Sequence, residues 1–401
     1  MNFAPWPYFE DDEVQSVIDV LKSGDVNQWT GNEIAEFENE FARYIGVTHA
    51  IALANGSLAL DIALKVFDIG QGDEVIVTPR SFVASASCIS LQGAVPVFVD
   101  VDPVSQNITL ENVSRAVSEK TRAVIAVNLS GWPCELDRLQ SFCKENGLVL
   151  IEDCAQSHGA SFKDKKTGAF GDCAIFSFCQ DKIMTTGGEG GMLLTNDNSI
   201  WEKAWSYKDH GKNPGKSFVN NPEFGFRWLV DSFGTNCRMT EMQAAIGRVQ
   251  LRKLDQWVDK RREYAGFLND NLKNVPGLRL TVPEKEVYHA YYKYYAFVEP
   301  GALKQGWNRD SILKNLEDKG IPCNTGICPE IYLEDAFRTS PFKINNDLID
   351  LKQGGRVTSR LPNASELGEN SMMFVVHPTL EPASIQFTID QIRSAMESAV
   401  K

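Results

Sequence analysis

Between Ala50 and Glu152 short apolar runs alternate with helix-periodic segments, and this rhythm limits the chain to very few folds. The runs are Ala50–Leu53, Glu74–Thr78, Val95–Val99, Ala123–Val127 and Leu148–Glu152. Single helices over Leu58–Phe67, Val83–Leu91, Leu110–Val117 and Glu135–Asn146 separate them. Strands that are joined only across a helix lie parallel, because a tight turn can join only antiparallel neighbours. The pattern therefore predicts an α/β fold with a parallel sheet between two helical layers. Ligands of such sheets sit beyond the carboxyl ends of the strands. Gly56, Ser57, Ser81, Phe82, Asp153 and Gln156 all fall there.

The flanks read differently. Asp11–Lys22 and Ile34–Tyr44 carry apolar residues at helical spacing, and Gly24 stops the first of them. Between them Asn27–Gly31 is a loop with a tryptophan, Trp29, that either anchors the loop on a core or faces a ligand. Beyond the sheet, a helix is expected over Ser199–His210 and a long ordered loop over Asn213–Gly234. A helix then runs from the N-cap Thr240 through Leu254, followed by a charged helical connector to about Leu272. After that the rhythm is lost. Strands at Arg279–Leu280, Tyr291–Val298 and Ile321–Asn324 and a helix at Arg309–Lys319 predict a smaller α+β domain. The division expected is an N-terminal segment 1–30, a large domain 31–252 and a small domain 253–401. The Tyr291–Tyr295 cluster reads as an amphipathic strand or as a ligand wall.

Charge excludes some classes. With 40 basic and 53 acidic residues the net charge is −13, and no basic patch suits a phosphate backbone. Met1–Glu10 has neither a basic nor an apolar leader region, so no signal peptide is expected. The longest uncharged stretch, Ser81–Val99, is broken by Gly93 and Pro96 and does not read as a membrane span. Nine cysteines without a Cys-x-x-Cys pair predict reduced thiols in a cytoplasmic protein. Cys323, Cys328 and five scattered histidines do not form a metal-ligand pattern.

Four features carry chemistry. Lys182 lies between the apolar runs Cys173–Phe178 and Met192–Thr195, inside a glycine-dense turn. It is either an exposed lysine of a hairpin loop or a desolvated amine able to form a Schiff base with a carbonyl. Asn55-Gly56-Ser57 lies where a strand meets a helix, which makes either an anion site or a plain serine cap. Asp153 follows the apolar run Val149–Ile151 and is either a helix cap or a buried carboxylate that needs a partner. Phe82 offers a flat apolar ring. Together they suit pyridoxal 5′-phosphate, which needs phosphate donors, an aromatic face, a carboxylate at its ring nitrogen and a lysine at its aldehyde.

The sequence resembles the DegT/DnrJ/StrS family of sugar aminotransferases over nearly its whole length. The resemblance rests on Trp29-Thr30-Gly31, Asn55–Leu60, Phe82–Ala86, Gly93–Asp100, Glu152-Asp153-Cys154-Ala155-Gln156, Phe176–Gly191, Gly234–Met239 and His377–Leu380. It implies a fold type I enzyme of mostly parallel sheet with a smaller C-terminal domain. It also implies roles: Lys182 binds the cofactor covalently and moves the proton, Asp153 pairs with the ring nitrogen and Gln156 bonds the ring hydroxyl. Phe82 stacks on the ring, while Gly56, Ser57 and Ser177 hold the phosphate. Asn236 would reach the phosphate of the other subunit, in a homodimer with shared sites. Arg238 and Trp29 are assigned to substrate or structure.

Ser57 stands where threonine is common, and Cys154 where alanine is. A dehydratase branch carries histidine at the lysine position, so Lys182 favours transamination. L-glutamate as donor and a nucleotide-linked keto-deoxy sugar, aminated at C4, are the substrates implied, for amino-sugar and lipopolysaccharide or O-antigen biosynthesis. The alternatives are C3 amination, a 3-dehydratase-like reaction and a non-catalytic regulatory protein. Loops at Trp29, Asn213–Phe233 and Ile327–Phe337 would read the sugar.

Overall fold

A computed structural model describes residues 3–219, 226–339 and 360–401. The part of the expected Asn213–Gly234 loop at 220–225 lies outside the described residues. The central sheet has seven strands: β1 (His49–Leu53), β2 (Glu74–Val77), β3 (Val95–Phe98), β4 (Thr121–Val127), β5 (Val149–Asp153), β6 (Cys173–Ser177) and β7 (Gly191–Thr195). Their order is β1-β7-β6-β5-β4-β2-β3. The expected parallel pairing holds from β3 to β6. β7 is the exception, antiparallel to both β1 and β6. The cause is local: no crossover helix follows β6, and the chain returns through a turn that aligns Ser177 with Gly191. That turn, 178–190, carries Lys182 and therefore lies at the carboxyl edge of β6.

Helices cover both faces. They are α1 (Asp11–Ser23), α2 (Glu33–Ile45), α3 (Gly56–Val66), α4 (Ala84–Leu91), α5 (Leu110–Ala116), α6 (Leu136–Glu145) and α7 (Asn198–Lys208). Strand alternation sorts the core. Ile151 and Ile175 join Leu60 and Ala63 of α3 in one layer. Ala174 and Phe176 join Phe37 and Phe41 of α2 in the other. Each fully buried Phe contributes roughly 1.5–3 kcal/mol, so β6 is held from both sides at the point where the lysine turn begins.

The expected helix to Leu254 and the expected helical connector to Leu272 are one continuous 32-residue helix, α8 (Glu241–Leu272), opened by a capping box between Thr240 and Gln243. It packs on α1 and α2 and, further along, on the C-terminal helix. A second sheet, β8 (Leu278–Leu280), β9 (Tyr294–Val298), β10 (Cys323–Asn324) and β11 (Ser371–Phe374), has the order β8-β9-β11-β10 and is antiparallel throughout. Helices α9 (Arg309–Asp318), α10 (Pro362–Asn370) and α11 (Pro382–Ala399) complete this part. β11, α10 and α11 have no counterpart in the sequence reading. The strand expected from Tyr291 starts only at Tyr294. Tyr291 adopts φ 47°, and the N–H groups of Ala290 and Tyr292 bond the carbonyls of Gly131 and Ser130. Residues 290–292 are thereby tied to the large sheet.

Candidate active site

The anion cradle forms where β1 meets α3. Asn55, rather than Ser57, caps the helix: its Oδ1 accepts from the Leu58 N–H at 2.9 Å. Gly56 and Ser57 occupy the first helical turn, whose N–H groups have no partner within a helix. Ser177, at the end of β6, lies directly against them. A Cβ on Gly56 would stand 2.8 Å from the Ser177 Cβ, and one on Gly191 would stand 2.4 Å from the Asn55 carbonyl carbon. Glycine at both positions lets β1, β6 and β7 close around one spot, where a helix N-terminus and two hydroxyls meet. Such a spot fits a phosphate.

Asp153 ends β5 and is 4% exposed. Burial is the largest influence on its carboxyl and pushes its pKa up. The Ser85 hydroxyl, the Ala155 N–H and the charge of Lys182 oppose that push. Ser85 Oγ donates to Asp153 Oδ2 at 2.7 Å and stands 2.9 Å from Ser81 Oγ. The sequence offered no signal for Ser85 beyond a small polar residue in the first turn of α4. Gln156 Oε1 accepts from the Ser130 N–H at 2.8 Å, which leaves its NH2 group free to donate. Ser130 adopts a left-handed φ of 57° to make that bond. Phe82, 60% exposed, presents a free ring at the same sheet edge.

Lys182 is not the exposed hairpin lysine of the first alternative, for its side chain is 15% exposed. Its Nζ lies 3.8 Å from Asp181 Oδ1 and 5.1 Å from the centre of the Tyr292 ring. The indole of Trp6 donates to the Lys182 carbonyl at 2.8 Å and pins the turn from the N-terminal segment. Its charge is felt at Asp153 and also at His158, a buried imidazole against Phe176 and Phe178. Burial first, then Lys182, pushes His158 down to about 3, so it stays neutral. Tyr292 is the outcome of the ambiguous tyrosine cluster: its hydroxyl donates to Asp181, which makes it a wall of the lysine site.

Of three further candidates, Arg238 and Asn236 lie in the loop that meets the end of β1, and Trp29 lies against α7. Arg238 bridges to Leu53, and the Cys237 carbonyl accepts from Ala54. The Arg238 guanidinium is engaged by the buried Asp209 at 2.9 Å, so within this chain it braces the loop. Asn236 is exposed, with Oδ1 accepting from the Arg238 N–H at 3.2 Å. Trp29 packs edge-on against Trp205 and lies under the Lys212 ammonium at 4.0 Å, as a loop anchor does. Among the described residues, Glu10, Asp12 and Glu13 converge as metal ligands would, but the Lys253 ammonium bonds all three. No described helix is long and apolar enough to cross a membrane.

A phosphate cradle that extra Cβ atoms would fill, a buried carboxylate kept available for a ring nitrogen and a sheltered lysine fit pyridoxal phosphate. Comparison with known proteins agrees. The model of the DegT/DnrJ/EryC1/StrS aminotransferase family matches residues 7–393. GDP-perosamine synthase of Caulobacter vibrioides is 37% identical over 73% of this chain and 75% of its own. The dTDP-4-dehydro-2,3,6-trideoxy-D-glucose 4-aminotransferase of Saccharopolyspora spinosa is 31% identical over 98% of this chain and 96% of its own. An aminotransferase structure from Psychrobacter cryohalolentis superposes with a TM-score of 0.93 at 45% identity, over 99% of both chains. The fold is that of the type I aminotransferases. With its lysine turn, its strand-end carboxylate and its phosphate cradle, the chain belongs to the DegT/DnrJ/EryC1/StrS family and is a pyridoxal-phosphate-dependent sugar aminotransferase.

Proposed function

We propose that the enzyme transfers the amino group of L-glutamate to the C4 keto group of a nucleotide-linked keto-deoxy sugar, within amino-sugar and surface-polysaccharide biosynthesis. The observation that carries this is a sheltered Lys182 whose charge is felt at the buried carboxylate of Asp153. The two curated relatives, by their names, act on GDP- and dTDP-linked sugars, and the second is a 4-aminotransferase. Lysine in place of histidine at position 182 supports amination over dehydration.

When bound, pyridoxal phosphate supplies a carbonyl that takes up the amino group and a ring that accepts an electron pair. The chain does the rest. Gly56, Ser57 and Ser177 would hold the phosphate. Asp153, supported by Ser85, would keep the proton on the ring nitrogen, and the Gln156 NH2 group would donate to the ring hydroxyl. Phe82 would lie against the ring. The Lys182 amine would take the proton from the donor α-carbon and, in the second half-reaction, return one to the sugar carbon. Trp6 holds the turn in place through the Lys182 carbonyl.

We further propose a homodimer with shared sites, in which the exposed Asn236 reaches the partner's phosphate. The exposed side chains of Phe226, Trp228 and Phe233 support a face covered by a second copy. In this scheme segment 1–30 lies near the active site, part 31–252 binds the cofactor and part 253–401 forms the smaller C-terminal domain. A reducing cytoplasm suits nine free thiols, six of them buried.

The test is to incubate holoenzyme with L-glutamate and GDP- or dTDP-linked 4-keto-6-deoxy sugars and to identify the products by mass spectrometry and NMR. Formation of 2-oxoglutarate and a C4 amino sugar is expected. A C3 amino sugar, a deoxy product without nitrogen or no reaction with any acceptor would refute this reading.

A further inference from the structure

The loop between β2 and α4, residues 78–83, is tied to both parts of the fold. Arg80 in this loop is 0% exposed. Its Nε donates to Gln106 Oε1 at 3.0 Å, in the loop after β3, and its Nη2 donates to Ser371 Oγ at 3.2 Å, at the start of β11. The guanidinium also lies 5.7 Å from the centre of the Tyr295 ring of β9. One side chain thus joins the loop after β2 to two strands of the second sheet. The backbone adds a tie, since the Pro79 carbonyl accepts from the Ile331 N–H at 2.8 Å. Burial opposes the charge of Arg80, and the groups it bonds here are neutral, so the residue is a costly filler. What it offers is a rigid fork that reaches in two directions at once.

The other side of the loop leads to Asp153. Ser85 gives its single hydroxyl hydrogen to Asp153 Oδ2 at 2.7 Å, so in its 2.9 Å contact with Ser81 Oγ it can only accept. The hydrogen in that contact belongs to Ser81. Ser81, Ser85 and Asp153 therefore form a chain in which each donation strengthens the next. Ser81 follows Arg80 directly, so the direction of its hydroxyl depends on where Arg80 is held.

We propose that Arg80 is a positioning residue: it docks the β2–α4 loop on the smaller C-terminal part and thereby aims the Ser81 hydroxyl at Ser85, which supports the Asp153 carboxylate. The proposal rests on the assignment of Asp153 to the ring nitrogen made above. Ser371 has a double part, for its Oγ accepts from Arg80 and donates to the Thr325 carbonyl at 2.8 Å. Thr325 lies two residues before the Ile327–Phe337 loop expected to read the sugar, and the latch connects that loop to the carboxylate. The ionisable groups that face Asp153 are Lys182 of the turn, Cys88 of α4 and Cys154 next in the chain. Burial raises both thiols well above their usual range, so they stay neutral.

The test is the titration of Asp153 in the full chain, followed by carboxyl 13C NMR and assigned by its loss in Asp153→Asn, together with the acid limb of kcat of the holoenzyme. The variants are Ser371→Ala and Arg80→Lys. Both keep every charge, so a lost attraction cannot account for a shift. Slackening one bond of a cooperative chain weakens the next by roughly 10–30%, so both readings are expected to move up by about 0.3 pH unit. The direction follows from a carboxylate that loses donor support. In Ser85→Ala, where the chain is already cut, Ser371→Ala is expected to add nothing. If Arg80→Lys does not fold, Ser371→Ala decides. A merely structural Arg80 would lower the unfolding midpoint and leave the titration in place, and that result overturns the proposal. So does a limb that stays while the titration moves, or a shift in the Ser85→Ala background as large as in the parent. Failure of the Asp153 assignment reads separately: there the limb stays in Ser85→Ala as well.

Discussion

The hydroxyl of Ser85 donates to the carboxylate of Asp153 across 2.7 Å, joining the first turn of α4 to the end of β5. This bond favours the ionised carboxylate, against a burial that favours the protonated one. In Ser85→Ala the Asp153 pKa should rise further. A hydrogen bond to a charged group contributes about 1.5–3 kcal/mol, so the acid limb of the kcat profile is expected to move up by about one pH unit. The sign follows from the form required: activity needs the carboxylate, and a higher pKa withdraws it at a higher pH. An acid limb that stays in place would remove Ser85 from the mechanism.

Lys182→Ala should reduce turnover by about 10³-fold or more, since it removes the amine assigned to move the proton. Reconstituted with pyridoxal phosphate, it should also lack the visible band of the wild-type protein. Asp153→Asn should keep the bound cofactor and lose most of the rate. Spectra and single-turnover kinetics of both variants check this, and wild-type rates in either would end the assignment.

Gly191→Ala tests the cradle. Its new Cβ would meet the Asn55 carbonyl carbon at 2.4 Å, a backbone group that can give way only by parting β1 from β7. Overpacking of this kind costs about 1–3 kcal/mol. Denaturant unfolding should register that loss, and equilibrium dialysis should show cofactor affinity down about tenfold or more. Unchanged affinity would mean that the phosphate lies elsewhere.

Glu152→Gln addresses the scaffold. On the opposite side of β5 from Asp153, Glu152 accepts from the N–H groups of Gly168, Phe170 and Gly171 at 2.7–2.8 Å. A glutamine NH2 would face one of these donors, at an expected cost of about 1–3 kcal/mol in unfolding free energy. A denaturation midpoint equal to wild type would show that the loop is held otherwise.

Local chemistry made much of this legible in the sequence. The period of apolar residues reports strand or helix directly, so the βα rhythm from Ala50 to Glu152 and the placement of Gly56, Phe82, Asp153 and Gln156 at strand ends could be read from spacing alone. Lys182 stood out because a cation between two apolar runs is unusual. The segments that escaped reading are those whose conformation is set by distant partners. Tyr291 leaves the strand region because its neighbours bond Ser130 and Gly131. The helix to Leu254 and the helical connector after it were legible, but that they form one unbroken α8 is decided by its packing on elements from both ends of the chain.

What the tertiary structure alone decided is how side chains far apart in sequence meet. Spacing carries no record that Ser85 would support Asp153, that Ser130 would orient Gln156, or that Trp6 would bond the carbonyl of Lys182. It also could not separate an exposed lysine from a sheltered one, since desolvation is a property of the surrounding fold. The reversed β7 has the same origin. A period of two identifies a strand, but its direction is set by whether a helix or a turn brings the chain back. Here a glycine-rich turn does so, and it holds Lys182 at the mouth of the site.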